Sequence, residues 1–239
     1  MSKEETNRRQ QVAAAAALIV QSTRHTHYQH DPVVDPETGT YKLDCSEFVS
    51  YVLKGAAPAH YACIPKEPTA QCPRAFEYCD YLRSIVYDAT NGWGRSYEVD
   101  NAIVYEAVRG WRRVVRLDDA RPGDVISWRF ARWNPGGDTG HVAFVAEKPR
   151  LAASGVTAVP VYDSSALPHW ADSRERDGAF VSGVGMGTLM FHVNSAGAPS
   201  AVQFGPSDRF HALPIGIGRL EPFNMPPPAK KVPVKGTFY

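Results

Sequence analysis

A thiol reaction needs a nucleophile, a base to take its proton, and a third group to hold the base in place. The stretch YKLDCSEFVSYVL (41–53) offers the first of these. Glu47 stands three residues after Asp44, the spacing of a capping box at a helix start. Phe48, Val49, Val52 and Leu53 recur at helical spacing, so one face of this segment is expected to be buried. Cys45 then falls in the first turn, where unpaired backbone N–H groups and the positive end of the helix dipole favour a thiolate over a thiol. Taken alone, the segment is better read as holding a small apolar structural cysteine. A base elsewhere in the chain decides between the two.

The chain holds eight histidines, at 25, 27, 30, 60, 141, 169, 192 and 211. His141 stands apart by its context. Gly140 before it permits close backbone approach, and GHVAFVAE reads as a strand in which His141, Ala143 and Val145 share one face. The small Ala143 leaves room for a neighbouring helix terminus. HTHYQHD (25–31) packs three histidines and an aspartate into seven residues, yet no second ligand cluster accompanies it. It reads as a solvated loop, so neither a metal nor another cofactor is expected.

The elements that must position these residues follow from pattern. NRRQQVAAAAALIVQS has a positive segment before a short apolar run, as in a signal peptide, but acidic Glu4 and Glu5 precede it and no small-residue cleavage site follows. It is read as the first helix of the fold. PRAFEYCDYLRSIV (73–86) reads as another helix, with Pro73 at a helix start. Residues 54–72, with Pro58, Pro65 and Pro68, read as irregular. From WRRVVRL onward β patterns dominate: ARPGDVISWRF, GHVAFVAE and VTAVPVYDSS, the last with Pro160 suggesting an edge or a bulge. GTLMFHVNSAGAPSAVQFGP reads as a hairpin around Ala-Gly, and ALPIGIGRL closes the sheet. Helices first and strands afterwards make an α+β domain, with N-terminal helices packed on an antiparallel sheet.

Composition narrows the function classes. The 239 residues are 44% hydrophobic and 21% charged with a formal net charge of +1, which suits a globular protein with one substantial core. Near-balanced charge gives no electrostatic footprint for nucleic acid, and no apolar run approaches bilayer length. Cys45, Cys63, Cys72 and Cys79 are too few for a disulfide scaffold; Cys63 and Cys72 could bridge a short loop, but mostly free thiols are expected.

DCSEFVSYVL, RPGDVISW and TGHVAFVAE, in that order, resemble the signatures of the NlpC-type cell-wall cysteine peptidases, which are papain-like enzymes related to the CHAP amidases. The resemblance implies a papain-like domain over 1–223 with a helical or irregular insertion at about 54–116, and a Pro- and Lys-rich tail over 224–239. It implies Cys45 as nucleophile and His141 as base. Asp163, on the next strand and on the face of Val159 and Val161, would be the orienting group, and otherwise it caps the turn into SSALPHW. Tyr28 falls where the family often has a tyrosine, so its hydroxyl and the Cys45 N–H are candidates to stabilise an oxyanion. Asp44 and Ser46 beside the nucleophile are substrate-binding candidates. So are His169, Trp170 and Arg174, which otherwise pin their loop; Arg174 is suited to grip a carboxylate.

Two departures bear on the substrate. Glu47 stands where the family usually has glycine, and the segment from about 54 to 116 is long enough for a lid. The implied reaction is amide hydrolysis through a thioester, with peptidoglycan stem peptides as the expected substrate. Without an export signal, such an enzyme recycles wall fragments in the cytoplasm or is secreted by a dedicated system as an antibacterial effector, which would bring an immunity protein as partner. A thiol acyltransferase and a catalytically inactive papain-like binding module are the alternatives.

Overall fold

The computed structural model describes residues 3–223 other than 89–91, 100, 101, 109, 132–136 and 177; the tail over 224–239 lies outside the described residues. The Ala-rich segment forms helix α1 (Lys3–Ser22). Three short strands, β1 (His25–His27), β2 (Val33–Asp35) and β3 (Thr40–Lys42), make a small sheet in which β3 lies centrally. The chain then enters α2 (Cys45–Ala56), followed by α3 (Pro58–Tyr61) and α4 (Ala75–Ser84). Next come a three-stranded ribbon, β4 (Val86–Asp88), β5 (Gly92–Val99) and β6 (Ala102–Ala107), and the strand β7 (Trp111–Arg113).

The main sheet is antiparallel throughout. Its remaining strands are β8 (Val125–Arg129), β9 (Gly140–Val145), β10 (Arg150–Ala153), β11 (Val156–Ser165), β14 (Gly183–Val193), β15 (Pro199–Gln203), β16 (His211–Ala212) and β17 (Ile215–Leu220). A two-residue pair, β12 (Glu175–Arg176) and β13 (Ala179–Phe180), stands apart from it. The spatial order is β16-β15-β14-β11-β9-β8-β17-β7, with β10 hairpinned onto the start of β11. ALPIGIGRL closes the sheet by lying between β8 and β7. The hairpin expected around Ala-Gly joins β14 to β15, with Gly197 at φ +77°.

Alternation along the strands divides two cores. Val142 and Phe144 of β9 pack with Phe48, Val49, Val52 and Leu53 of α2 on the helix side. Ala143 and Val145 face the other way, towards Trp128, Phe191 and Phe204. Ala143 therefore leaves no space for α2, contrary to the sequence expectation, because it occupies the opposite face of its strand. The ring of Trp128 on β8 lies 6.0 Å from that of Phe191 on β14, although two strands separate them in the sheet. A flat sheet would hold such strands about 14 Å apart, so this one is strongly coiled around its second core.

Two expectations need correcting. Segment 54–116 is not irregular or helical throughout: it contains the ribbon β4–β6, and α4 is part of the core. Leu82 of α4 is fully buried, and a Cβ on Gly218 of β17 would sit 2.2 Å from it. Pro160 is not on an edge strand, since β11 lies between β14 and β9. A residue's N–H and C=O point to the same side of a strand, and the Pro160 carbonyl accepts from Ala146 N–H at 2.8 Å. The donor-less ring nitrogen thus faces Ala146, just past the end of β9, so only the reciprocal bond at the very end of the ladder is missing.

Candidate active site

The start of α2 is built as the sequence predicts. Asp44 is the N-cap, its carboxylate accepting from Glu47 N–H at 2.8 Å, while the Glu47 carboxylate accepts from Asp44 N–H at 2.9 Å. Upstream, the Ser164 hydroxyl of β11 donates to the Leu43 carbonyl at 2.6 Å and pins the segment that leads into the helix. Cys45 is thereby pressed against the sheet and is 3% exposed. Its sulfur receives the Val142 amide of β9 and lies 3.8 Å from the Ser46 hydroxyl.

That amide is accessible because two strands separate here. β9 and β11 pair through Val145 with Val161 and Phe144 with Tyr162, and their paired register stops there. Beyond this point a side-chain bond replaces the backbone ladder: His141 Nε2 lies 2.7 Å from Asp163 Oδ2. Gly140 is required next to it, since its φ is +151° and a Cβ would fall 2.0 Å from the Trp128 carbonyl oxygen. The His141 ring packs on Trp128 with centroids 5.0 Å apart. Val142 N is bonded to the carbonyl carbon of His141, so the sulfur sits against the backbone of the candidate base. Among the described residues, no hydrogen bond joins Cys45 Sγ to the imidazole.

Asp163 is completely buried and anchors three side chains. Besides His141, Oδ2 is approached by His169 Nε2 at 2.8 Å, and Oδ1 accepts from Arg174 Nη1 at 3.0 Å. Arg174 in turn grips Asp172 through Nε and Nη2 at 2.8 and 2.9 Å. Burial alone would raise the Asp163 carboxyl, but the charges of Arg174 and His169, with the bonds from both histidines, hold it well below the usual carboxylate range. An ionised carboxylate only accepts, so His141 carries its proton on Nε2 and leaves the Nδ1 lone pair as its basic site.

His169 and Arg174 do not line a cleft, contrary to one of the two sequence expectations. Both are buried, and the carboxylates that Arg174 grips are the protein's own. Trp170 is half-buried and bridges to Thr188 by backbone bonds in both directions. Asp172 was not foreseen; its position two residues before Arg174 was the available signal.

His141, Asp163 and His169 also present donor atoms within 4.8 Å of one another, the geometry of a metal group. Their separations are those of hydrogen bonds, and the Arg174 guanidinium on the same carboxylate opposes a cation. Of the histidine-rich stretch 25–31, His27 bonds Ser182 and His30 bonds Asp44 at 3.0 Å.

Two cavities meet at the site. One, of about 220 Å³, is lined by Cys45, Asp44, Ser46 and Glu47; the other, of about 320 Å³, is lined by His141, Phe130, Leu167 and Phe204. Tyr28, Asp138 and Gly140 line both. The Tyr28 hydroxyl donates to Asp138 Oδ1 at 2.7 Å, so a tyrosine–aspartate bond forms part of the wall of both cavities. Burial and the nearby Cys45 and Asp138 raise the Tyr28 phenol well above its ordinary value and keep it a neutral donor. Asp138 is a site residue that the sequence did not single out.

The electrostatics of the thiol differ from expectation. Burial pushes Cys45 well above its ordinary value and Asp44 adds to the rise, while the Val142 amide and the Ser46 hydroxyl offset only part. Desolvation thus outweighs the helix N-terminus. Glu47 is raised to about 7 by burial, with Asp44 adding to the effect. All four cysteines are free thiols, so Cys63 and Cys72 are not bridged.

No protein-family model, curated protein or solved structure matches this chain.

Proposed function

We propose that this protein is a cysteine amidase or endopeptidase with a papain-like, NlpC-type domain, acting on amide bonds of peptidoglycan stem peptides. The observation that carries this is the set Cys45, His141 and Asp163: a thiol at a helix start receives the amide of Val142, and the imidazole of the preceding residue, His141, is held through Nε2 by a buried carboxylate. His141 Nδ1 takes the thiol proton as Sγ adds to the amide carbon. The tetrahedral oxyanion is met by the Cys45 N–H of the first helical turn and by the Tyr28 hydroxyl once its proton turns from Asp138. The imidazolium returns the proton to the leaving amine as the C–N bond breaks. Water then adds to the thioester with His141 again taking a proton, which passes to the departing sulfur as the acid is released. Because the free thiol is held protonated, proton transfer accompanies attack rather than preceding it. A thiol–imidazole bond forming only around substrate fits the looser geometry of free enzymes.

A digest of purified peptidoglycan and soluble stem peptides with wild-type and Cys45→Ala protein, read by mass spectrometry, tests this. New fragments from wild type alone are expected; fragments from both proteins would sink the assignment. In this reading the enzyme recycles wall fragments in the cytoplasm or is exported as an antibacterial effector countered by an immunity protein, and toxicity confined to periplasm-targeted protein would select the latter.

One observation favours a second reading, a non-catalytic binding module: the thiol is buried and pushed away from ionisation. Retention of wall fragments without cleavage, unchanged in Cys45→Ala, would establish it.

A further inference from the structure

The two cavities divide the substrate between them, and the chemistry of the reaction says which half goes where. The leaving nitrogen must receive its proton from His141, so the amine half of the substrate lies on the His141 side. The acyl carbon is bonded to Cys45, so the acyl half lies on the other. The Cys45 side is the more polar of the two, with Asp44, Ser46, Glu47 and Arg74 in its wall. The His141 side is walled by Phe130, Ala166, Leu167 and Phe204. Its carboxylates are already engaged, Asp208 with His211 at 2.8 Å and Asp138 with Tyr28 at 2.7 Å.

We propose that this second cavity is a leaving-group subsite selective for amines bearing an apolar side chain, so that the bond cleaved is one whose amine half is hydrophobic. The assignment rests on the thiol-hydrolase reading above and narrows its substrate. Phe204 is 8% exposed and forms the inner wall, while Leu167 is 52% exposed, with its backbone tied to the Ser165 hydroxyl. Placing a leucine- or phenylalanine-sized group against these walls removes enough apolar surface from water to favour it about tenfold or more over glycine.

Acyl transfer tests the subsite without knowledge of the natural acyl group. Cys45 is loaded from p-nitrophenyl acetate: the thiol proton passes to His141, the C–S bond forms, nitrophenolate leaves, and the imidazolium releases its proton to solvent. An added amine entering the leaving-group side then competes with water. Its nitrogen bonds to the acetyl carbon, its proton passes to His141 and on to sulfur, and the C–S bond breaks. The ratio of acetyl amide to acetate, measured by mass spectrometry with leucinamide, phenylalaninamide, glycinamide and lysinamide, reads the subsite directly. Leucinamide and phenylalaninamide are expected to be captured saturably and about tenfold better than the other two, with the advantage lost in Leu167→Asp. Equal, non-saturating capture of all four amines would overturn the subsite while leaving the thiol enzyme intact. Absence of Cys45-dependent nitrophenol release would overturn the thiol enzyme and the subsite with it.

Discussion

Asp124 and Asp163 are both fully buried aspartates gripped by an arginine, yet their carboxyls shift in opposite directions. Asp124, in the Pro-Gly-Asp turn before β8, is held by Arg219 Nε at 2.9 Å and Nη2 at 2.7 Å, and burial still raises its carboxyl above the ordinary value. Asp163 is also penalised by burial, but Arg174 and His169 together with the bond from His141 drive it well below. For Asp124, Arg219 with the Arg121 amide and the charge of Arg9 does not fully offset desolvation, whereas for Asp163 an arginine and two histidines more than do so. The first arrangement ties a turn to β17 and to the Asp119 carbonyl, which Arg219 Nη2 also reaches at 2.6 Å. The second keeps a negative charge beside an imidazole at the mouth of a cavity. Each carboxylate receives three hydrogen bonds, so what distinguishes a structural ion pair from a candidate catalytic one here is the kind of donor: two of those on Asp163 come from histidines.

Substitution to asparagine should break the comparison most sharply. Asp163→Asn replaces one acceptor oxygen by an N–H donor and removes the charge that fixes the His141 tautomer, and activity is expected to fall by about 10³- to 10⁴-fold. Asp124→Asn should leave the rate per folded molecule within a few-fold of wild type. Amide-cleavage rates normalised to folded protein by circular dichroism check both, and equal losses would erase the distinction between the two aspartates. Next in size is removal of each arginine. Arg219→Leu strands one buried carboxylate, and a loss of about 3–5 kcal/mol is expected. Arg174→Leu strands two, Asp163 and Asp172, and should cost more in urea denaturation at neutral pH.

Acid titration sharpens the same contrast. Asp163, depressed in the fold, contributes stability that is complete above its unfolded value near 4 and is lost as pH falls through the folded value below that. Asp124, raised in the fold, contributes in the opposite sense, favouring the fold below pH of about 4 and losing that contribution as pH rises through its folded value. Melting temperatures between pH 2.5 and 7 should therefore show Asp163→Asn flattening the acid limb, and Asp124→Asn gaining on wild type as pH rises. Parallel curves for the two variants would contradict the opposite shifts.

The sequence made part of this arrangement legible and hid the rest for physical reasons. The Asp44–Glu47 capping box, the buried face of α2, the Gly140–His141 strand start and the placement of Asp163 on the His141 face are local, and helix and strand periods expose them. His169 and Arg174 lie in a polar loop after Asp163, where residues lining a cleft and residues buried behind a carboxylate have the same composition. Only the fold puts them at 0–1% side-chain exposure. The thiol misled for a similar reason, since the dipole is written in the chain but burial is not. The ribbon β4–β6 and the place of α4 in the core depend on long-range packing, which composition and local period do not encode.

Glu47 provides the smallest and most local test, and it returns to the nucleophile side of the comparison. Its carboxyl caps α2 yet is raised to about 7 by burial and by the adjacent Asp44. A raised carboxyl means that the folded protein retains a proton the unfolded chain has released. Stability from this group is thus present below its ordinary value of about 4.5 and is lost as pH rises towards 7. Glutamine keeps an oxygen to accept the Asp44 N–H and never acquires the charge. Glu47→Gln should therefore melt close to wild type near pH 4.5 and above it at pH 8, by a few degrees at most. Lower melting of the variant at both pH values would show that the ionised carboxylate strengthens the cap. In that case the negative charge beside Cys45 stabilises the helix start while opposing the thiolate, the reverse of the arrangement around Asp163.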